Sequence, residues 1–153
     1  MRARFLPPVL LAVLILTLAA ALAGCSSQGT ESPAGTEPAG GGGTGWTTVD
    51  VQTAYDAVSA GDGAQLVDVR EPEEWAETGI PEGAVLIPLG DLESRAASEL
   101  TSDKPVYVIC RSGNRSQTGS DILAGLGFTQ VYNVEGGIHA WQAAGLPVEA
   151  YQP

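Results

Sequence analysis

From Trp46 onward, apolar residues follow two alternating rhythms. Short β-favouring runs at Thr47–Val49, Gln65–Val69, Ala84–Leu89, Val106–Ile109 and Val131–Val134 read as strands, the last of these closing the series. Between them the spacing turns helical. Val51, Ala54, Tyr55 and Val58 fall at i, i+3, i+4 and i+7 behind Asp50, a good N-cap, and Gly61 and Gly63 end the helix. Pro72 at the first helical position, with acids around it, starts another helix at Glu71–Trp75, which Gly79 to Gly83 breaks. Asp91 is expected to cap a helix toward Leu100. A further helix is expected from about Arg115 to Leu126, with Ile122, Leu123 and Leu126 as its apolar residues. Gly136-Gly137 turns into a short helix through His139 and Trp141 to Ala144, and Gly145-Leu146-Pro147 closes the series of elements. Strands alternating with helices predict an α/β domain whose central sheet is largely parallel and flanked by helices.

The first 45 residues follow neither rhythm. Arg2 and Arg4 precede an apolar run from Val9 to Leu22, which is short for a spanning helix of roughly 20 residues. With Leu22-Ala23-Gly24-Cys25 behind it, the segment has the pattern of a secretory signal and resembles a bacterial lipobox. That resemblance implies a signal peptide over 1–24, cleaved before Cys25, with lipid on the Cys25 thiol and new amine. A plain transmembrane anchor or an ordinary secreted chain are the alternatives. Ser26 to Gly45 contains no large apolar residue and reads as a tether with a reach of roughly 25 Å. The expected organisation is therefore 1–24 signal, 25–45 lipidated cysteine and tether, and 46–153 one domain. The expected location is outside the cytoplasm, held to the bacterial cell membrane through Cys25.

Charge narrows the partners. Without Arg2 and Arg4 the chain carries five basic against eighteen acidic side chains, a net charge of −13. This balance excludes nucleic acid and electrostatic adhesion to anionic headgroups, so membrane association must come from the lipid.

Candidate chemistry concentrates after Val106–Ile109. Four β-favouring residues run into Cys110, a turn follows, and then a helix. Such an arrangement aims backbone N–H groups and a helix N-terminus at one spot, and Cys110 lies there between Arg111 and Arg115. These surroundings are expected to lower the thiol pKa and expose a reactive thiolate. Cys25 and Cys110 are the only cysteines. With Cys25 taken by lipid, no disulfide is available to the globular part.

The stretch Cys110-Arg111-Ser112-Gly113-Asn114-Arg115-Ser116 resembles the active loop of the rhodanese family of sulfurtransferases, C-R-S-G-x-R-S. Three other blocks carry the likeness: Leu66 to Glu71, Ile80 to Leu89, and Gly136 to Trp141 with Gly145 to Val148. The resemblance implies a rhodanese-like α/β domain in which Cys110 takes sulfane sulfur from thiosulfate or a persulfide, holds it as a persulfide, and passes it to a thiol or cyanide. The loop from Arg111 through Ser116 would ring the sulfur with amides. Arg111 is assigned to the substrate and Arg115 to bracing the loop. Asp68 and Arg70, at the end of an otherwise apolar strand, read as a buried pair supporting the loop, or alternatively as an attractor for donor anions. No cofactor or metal is expected.

Spacing separates sulfur from phosphate. Phosphatases and arsenate reductases with such loops carry C-x5-R around a tetrahedral oxyanion, whereas Arg115 follows Cys110 as C-x4-R. His139 is assigned a surface or structural role, and Trp75 and Trp141 the core. The rim departs from the family's G-H-I-P-G-A, reading Gly79-Ile80-Pro81-Glu82-Gly83-Ala84. Glu71, Glu73, Glu74 and Glu82 are expected near the mouth, which disfavours a dianion such as thiosulfate. Two other classes stay open: a non-catalytic binding or sensing module, and a redox thiol, which lacks a resolving cysteine.

Overall fold

The structure, a computed structural model, describes residues 45–153. The expected signal segment, Cys25 and all of the tether but Gly45 lie outside the described residues. The elements run β1 (Thr47–Val49), α1 (Val51–Ser59), β2 (Gln65–Asp68), α2 (Pro72–Thr78), β3 (Ile80–Pro81) and β4 (Val85–Leu86). A 3-10 turn (Leu89–Asp91) then leads into α3 (Leu92–Glu99), β5 (Val106–Ile109), α4 (Asn114–Gly125), β6 (Val131–Val134), α5 (Gly137–Ala143) and β7 (Val148–Glu149).

Five strands form one sheet in the order β1-β6-β5-β2-β4, and every neighbouring pair is parallel. All five carboxyl ends therefore lie at one edge. The chain leaves β2 toward β4 but leaves β5 toward β6, so connections diverge between these two central strands. That divergence is where parallel α/β sheets open a crevice. Asp68 ends β2 and Cys110 follows β5, on the two sides of it.

Alternation along the strands divides the core. Val67, Val69, Val106, Val108 and Val131 pack with Leu92, Ala96 and Leu123 of α3 and α4. Leu66, Tyr107, Ile109 and Val134 face the other way, against Ala54, Ile138 and Trp141 of α1 and α5. Burial on both faces is what makes these strands read as continuous apolar runs.

Several expectations need correction. Val131–Val134 is not the last strand. Ile80–Pro81 and Val148–Glu149 pair antiparallel as a second, two-stranded sheet, across segments that read as turns. Pairs this short carry no periodicity to detect. Asp91 does not cap α3 with its side chain, because the 3-10 turn already places it in helical geometry (φ −100°, ψ −10°). Its carboxylate instead lies 3.7 Å from Arg95 Nη1. Helix α4 begins one residue earlier than expected, and Leu126 stands 42% exposed past its end. The face that α4 buries consists of Ser116, Gly119, Ser120 and Leu123. A Cβ on Gly119 would come within 3.1 Å of Val108 Cγ1, so close approach to the sheet, rather than apolar bulk, selects small residues there.

Candidate active site

Cys110 leaves β5 at the divergence point, and the turn behind it folds back over its sulfur. The Gly113 amide donates to Cys110 Sγ at 3.2 Å, and the Cys110 thiol lies 3.4 Å from Ser116 Oγ. Gly113 can do this because it adopts φ +103°, a conformation only glycine holds at low cost. Burial alone would push the thiol up. The Ser116 hydroxyl and the amides of Ser116, Ser112 and Gly113 oppose it, and the net effect holds the thiol below its ordinary value.

The lowered thiol agrees with the expectation, with the hydrogen bonds of the turn as its leading cause. One expectation about this cysteine changes. The thiol is not open, since Cys110 is 1% exposed. Gly136-Gly137 packs against the backbone of the same turn.

Arg115 is spent elsewhere. Its Nη1 and Nη2 each donate to Glu74 at 2.6 Å, joining the first turn of α4 to α2. This bidentate pair draws the Glu74 carboxyl down to about 2, against the opposing effect of burial. The carboxyl is thus depressed in the folded state, so its stabilisation is complete above its ordinary value of 4.5 and lost as pH falls toward 2. Urea midpoints measured across that window should fall with acidification, and Glu74→Gln should remove the part of the fall due to this group. An unchanged slope in the variant would exclude the pair as its source.

Arg111 is exposed, and its Nε donates to His139 Nε2 at 3.3 Å. These two, with Arg70, Glu74, Glu77, Thr78 and Ile138, line a cavity of about 60 Å³ beside the turn. Glu82 is absent from that rim and instead borders a larger cavity of about 400 Å³ that includes Tyr55 and Trp141 but no residue of the Cys110 turn. Its expected place at the mouth is corrected: the Pro81–Ala84 turn carries it toward α1 and α5. Trp75 and Trp141 are buried in the core.

Asp68 and Arg70 form a buried pair, 0% and 1% exposed. Arg70 Nη2 donates to Asp68 Oδ2 at 2.6 Å and to the Gly79 carbonyl at 2.8 Å, while Nη1 donates to Thr78 Oγ1 at 2.6 Å. The pair thus ties the end of β2 to the end of α2; none of its hydrogen bonds reaches the Cys110 turn.

Two supports carry no recognisable signature of their role in the sequence. Gly137 packs against the backbone of Cys110 and Arg111, and the Ile138 amide donates to the Cys110 carbonyl at 2.8 Å. The Gly-Gly pair is legible as a helix start, but not as a clamp on the turn. Asn133, 1% exposed on β6, has its Oδ1 2.7 Å from Ser116 Oγ. A polar residue inside an apolar strand is the available signal. Among the described residues, no group of three or more His, Cys, Asp or Glu side chains is arranged to hold a metal ion.

Comparison with known proteins agrees with this architecture. Residues 50–144 match the rhodanese-like domain, and the chain belongs to that family. Thiosulfate sulfurtransferase GlpE from Pseudomonas syringae is 40% identical over 92 residues, 59% of this chain and 82% of GlpE. A sulfurtransferase from Allochromatium vinosum is 35% identical over 102 residues, 67% of this chain and 94% of the relative. Among solved structures, the polysulfide-sulfur transferase homodimer from Wolinella succinogenes superposes with a TM-score of 0.60 at 31% identity, covering 67% of this chain and 77% of that one. Two Bacillus subtilis relatives, YrkF and YqhL, are matched over only 49% and 60% of their length.

Proposed function

We propose that the protein is an extracytoplasmic sulfurtransferase, anchored through lipidated Cys25, that carries sulfane sulfur on Cys110. One observation carries the reading: the Cys110 sulfur receives a backbone amide and faces a hydroxyl at the carboxyl edge of a parallel sheet, in a turn that lowers its pKa. Activities named in the relatives are consistent with sulfur chemistry. The Leu22–Cys25 pattern and the acidic balance of the chain support the location and the lipid anchor.

The Cys110 thiolate attacks the outer sulfur of thiosulfate or a persulfide. A new S–S bond forms as the donor's bond breaks, and sulfite or a thiolate leaves with the electron pair. An acceptor thiolate or cyanide then attacks the outer sulfur of the Cys110 persulfide, and the Cys110 thiolate departs. Donors directed at the anionic product are already in place before reaction, which is how preorganised dipoles lower a barrier. Arg111, exposed beside the turn, is the residue proposed to meet the substrate, and Arg115 braces the turn through Glu74. Ser112 and Asn114 belong to the same cradle.

A second reading, a non-catalytic binding module, is favoured by the closure of Cys110 to water. Intact mass after incubation with thiosulfate, and separately with a small-molecule persulfide, distinguishes them. The expected result is a gain of one sulfur atom, absent in Cys110→Ser and removed by cyanide. No gain with either donor would overturn the transfer reading and leave the binding module.

A further inference from the structure

Ser116 Oγ has one proton and three neighbours able to receive it. It lies 2.9 Å from the Gly113 carbonyl, 2.7 Å from Asn133 Oδ1 and 3.4 Å from Cys110 Sγ. With Cys110 as a thiol, S–H points to Ser116 Oγ, and the hydroxyl proton goes to Asn133 Oδ1, the nearer of the two oxygens. An anionic sulfur reverses the first of these bonds. It needs the Ser116 proton for itself, which leaves two oxygens, Ser116 Oγ and Asn133 Oδ1, 2.7 Å apart with no proton between them. Such a contact is repulsive, and both residues are too buried for water to relieve it.

Rotation of the Asn133 amide resolves the conflict. Its Nδ2 then donates to Ser116 Oγ, freeing the hydroxyl for sulfur. On the other side, Thr48 Oγ1 lies 3.4 Å from Asn133 Nδ2 in the present arrangement. A hydroxyl both donates and accepts, so Thr48 serves either orientation of the amide. We infer that Asn133 is a positioning residue whose amide turns with the charge on the Cys110 sulfur and directs the Ser116 proton onto it.

The role rests on Cys110 working as an anionic sulfur, as proposed above, but ionisation is measured without any sulfur donor. Beside the turn, Arg115, paired with Glu74, feels the charge on the sulfur, and exposed Arg111 is bonded to His139; none of these side chains is hydrogen-bonded to Asn133 or Ser116. The relay is therefore neutral apart from the sulfur. An uncharged amide can present either end at low cost, whereas a carboxylate can only accept.

The test is the pH profile of Cys110 alkylation by iodoacetamide. In Asn133→Asp the carboxylate holds the Ser116 proton and adds a like charge. The expected result is a profile displaced upward, with alkylation at neutral pH slowed about tenfold or more, the equivalent of one pKa unit. Ser116→Ala should also displace the profile, and adding Asn133→Leu to it should change little further, because Asn133 acts through that hydroxyl. An unchanged profile in a folded Asn133→Asp protein, or independent, additive effects of Ser116→Ala and Asn133→Leu, would overturn the inference. Should the substitutions prevent folding, side-chain amide NMR of the unsubstituted protein decides. The Asn133 NH₂ signals should titrate with the midpoint of Cys110 alkylation and stay fixed in Cys110→Ser; signals indifferent to that midpoint would refute the relay. A protein that accepts no sulfur yet shows these shifts would lose the transfer reading and keep this one.

Discussion

Asp68→Ala is expected to destabilise the domain by about 3–5 kcal/mol, more than any surface change, because it strands a buried cation. Arg70 is 1% exposed and places Nε and Nη2 on the two Asp68 oxygens at 2.6–3.0 Å. Without Asp68, the Thr78 hydroxyl and the Gly79 and Glu74 carbonyls still accept from it, but the Glu74 carboxylate, which feels its charge, is already paired with Arg115. The magnitude comes from the uncompensated charge, not from the worth of the pair. The double variant Asp68→Leu/Arg70→Met should accordingly lose less than Asp68→Ala alone. Urea unfolding with an unchanged m-value measures both. A loss below about 1 kcal/mol for Asp68→Ala would mean that water or the α2 carbonyls already solvate Arg70.

Gly137→Ala is expected to cost about 3 kcal/mol and to displace the Cys110 turn. Two penalties add. Gly137 sits at φ +57°, and an added Cβ would overlap the Cys110 carbonyl oxygen and come within 2.6 Å of the Arg111 carbonyl carbon. Both obstacles are backbone, which cannot swing aside as a flexible side chain does. Gly61→Ala separates the two effects, since Gly61 has φ +77° and a Cβ added there would meet nothing within 4 Å. It should cost only about 1–2 kcal/mol, the left-handed penalty alone. The distinctive result is altered Cys110 alkylation in Gly137→Ala but not in Gly61→Ala. Equal losses, with Cys110 reactivity unchanged in both, would exclude Gly137 as a clamp on the turn.

The strands were legible because both faces of the sheet are buried. Val106–Ile109 shows four apolar residues in a row for that reason, and its parallel neighbours at Gln65–Asp68 and Val131–Val134 depart from the run only at Gln65, Asp68 and Asn133. Helix α1 was legible through Asp50, whose Oδ1 accepts from the Thr53 amide at 2.8 Å, and through its apolar spacing. Helix α4 was harder to place. Its buried face of Ser116, Gly119 and Ser120 carries almost no hydrophobic signal, since contact distance set those residues. The short β3–β7 pair left no pattern at all, because two residues cannot display an alternation.

The sequence by itself determined the alternation of strand and helix, the parallel sheet, and the position of a lone cysteine where a buried strand meets a helix. These are local properties, written in periods of two and 3.6 residues and in turn chemistry. Only the tertiary structure decided what braces that cysteine's turn from outside. Gly137 and Ile138 press on the backbone of Cys110 and Arg111, Asn133 lies against Ser116, and Arg115 pairs with Glu74. These contacts depend on distances in space between residues far apart in the chain, and no local pattern encodes those distances.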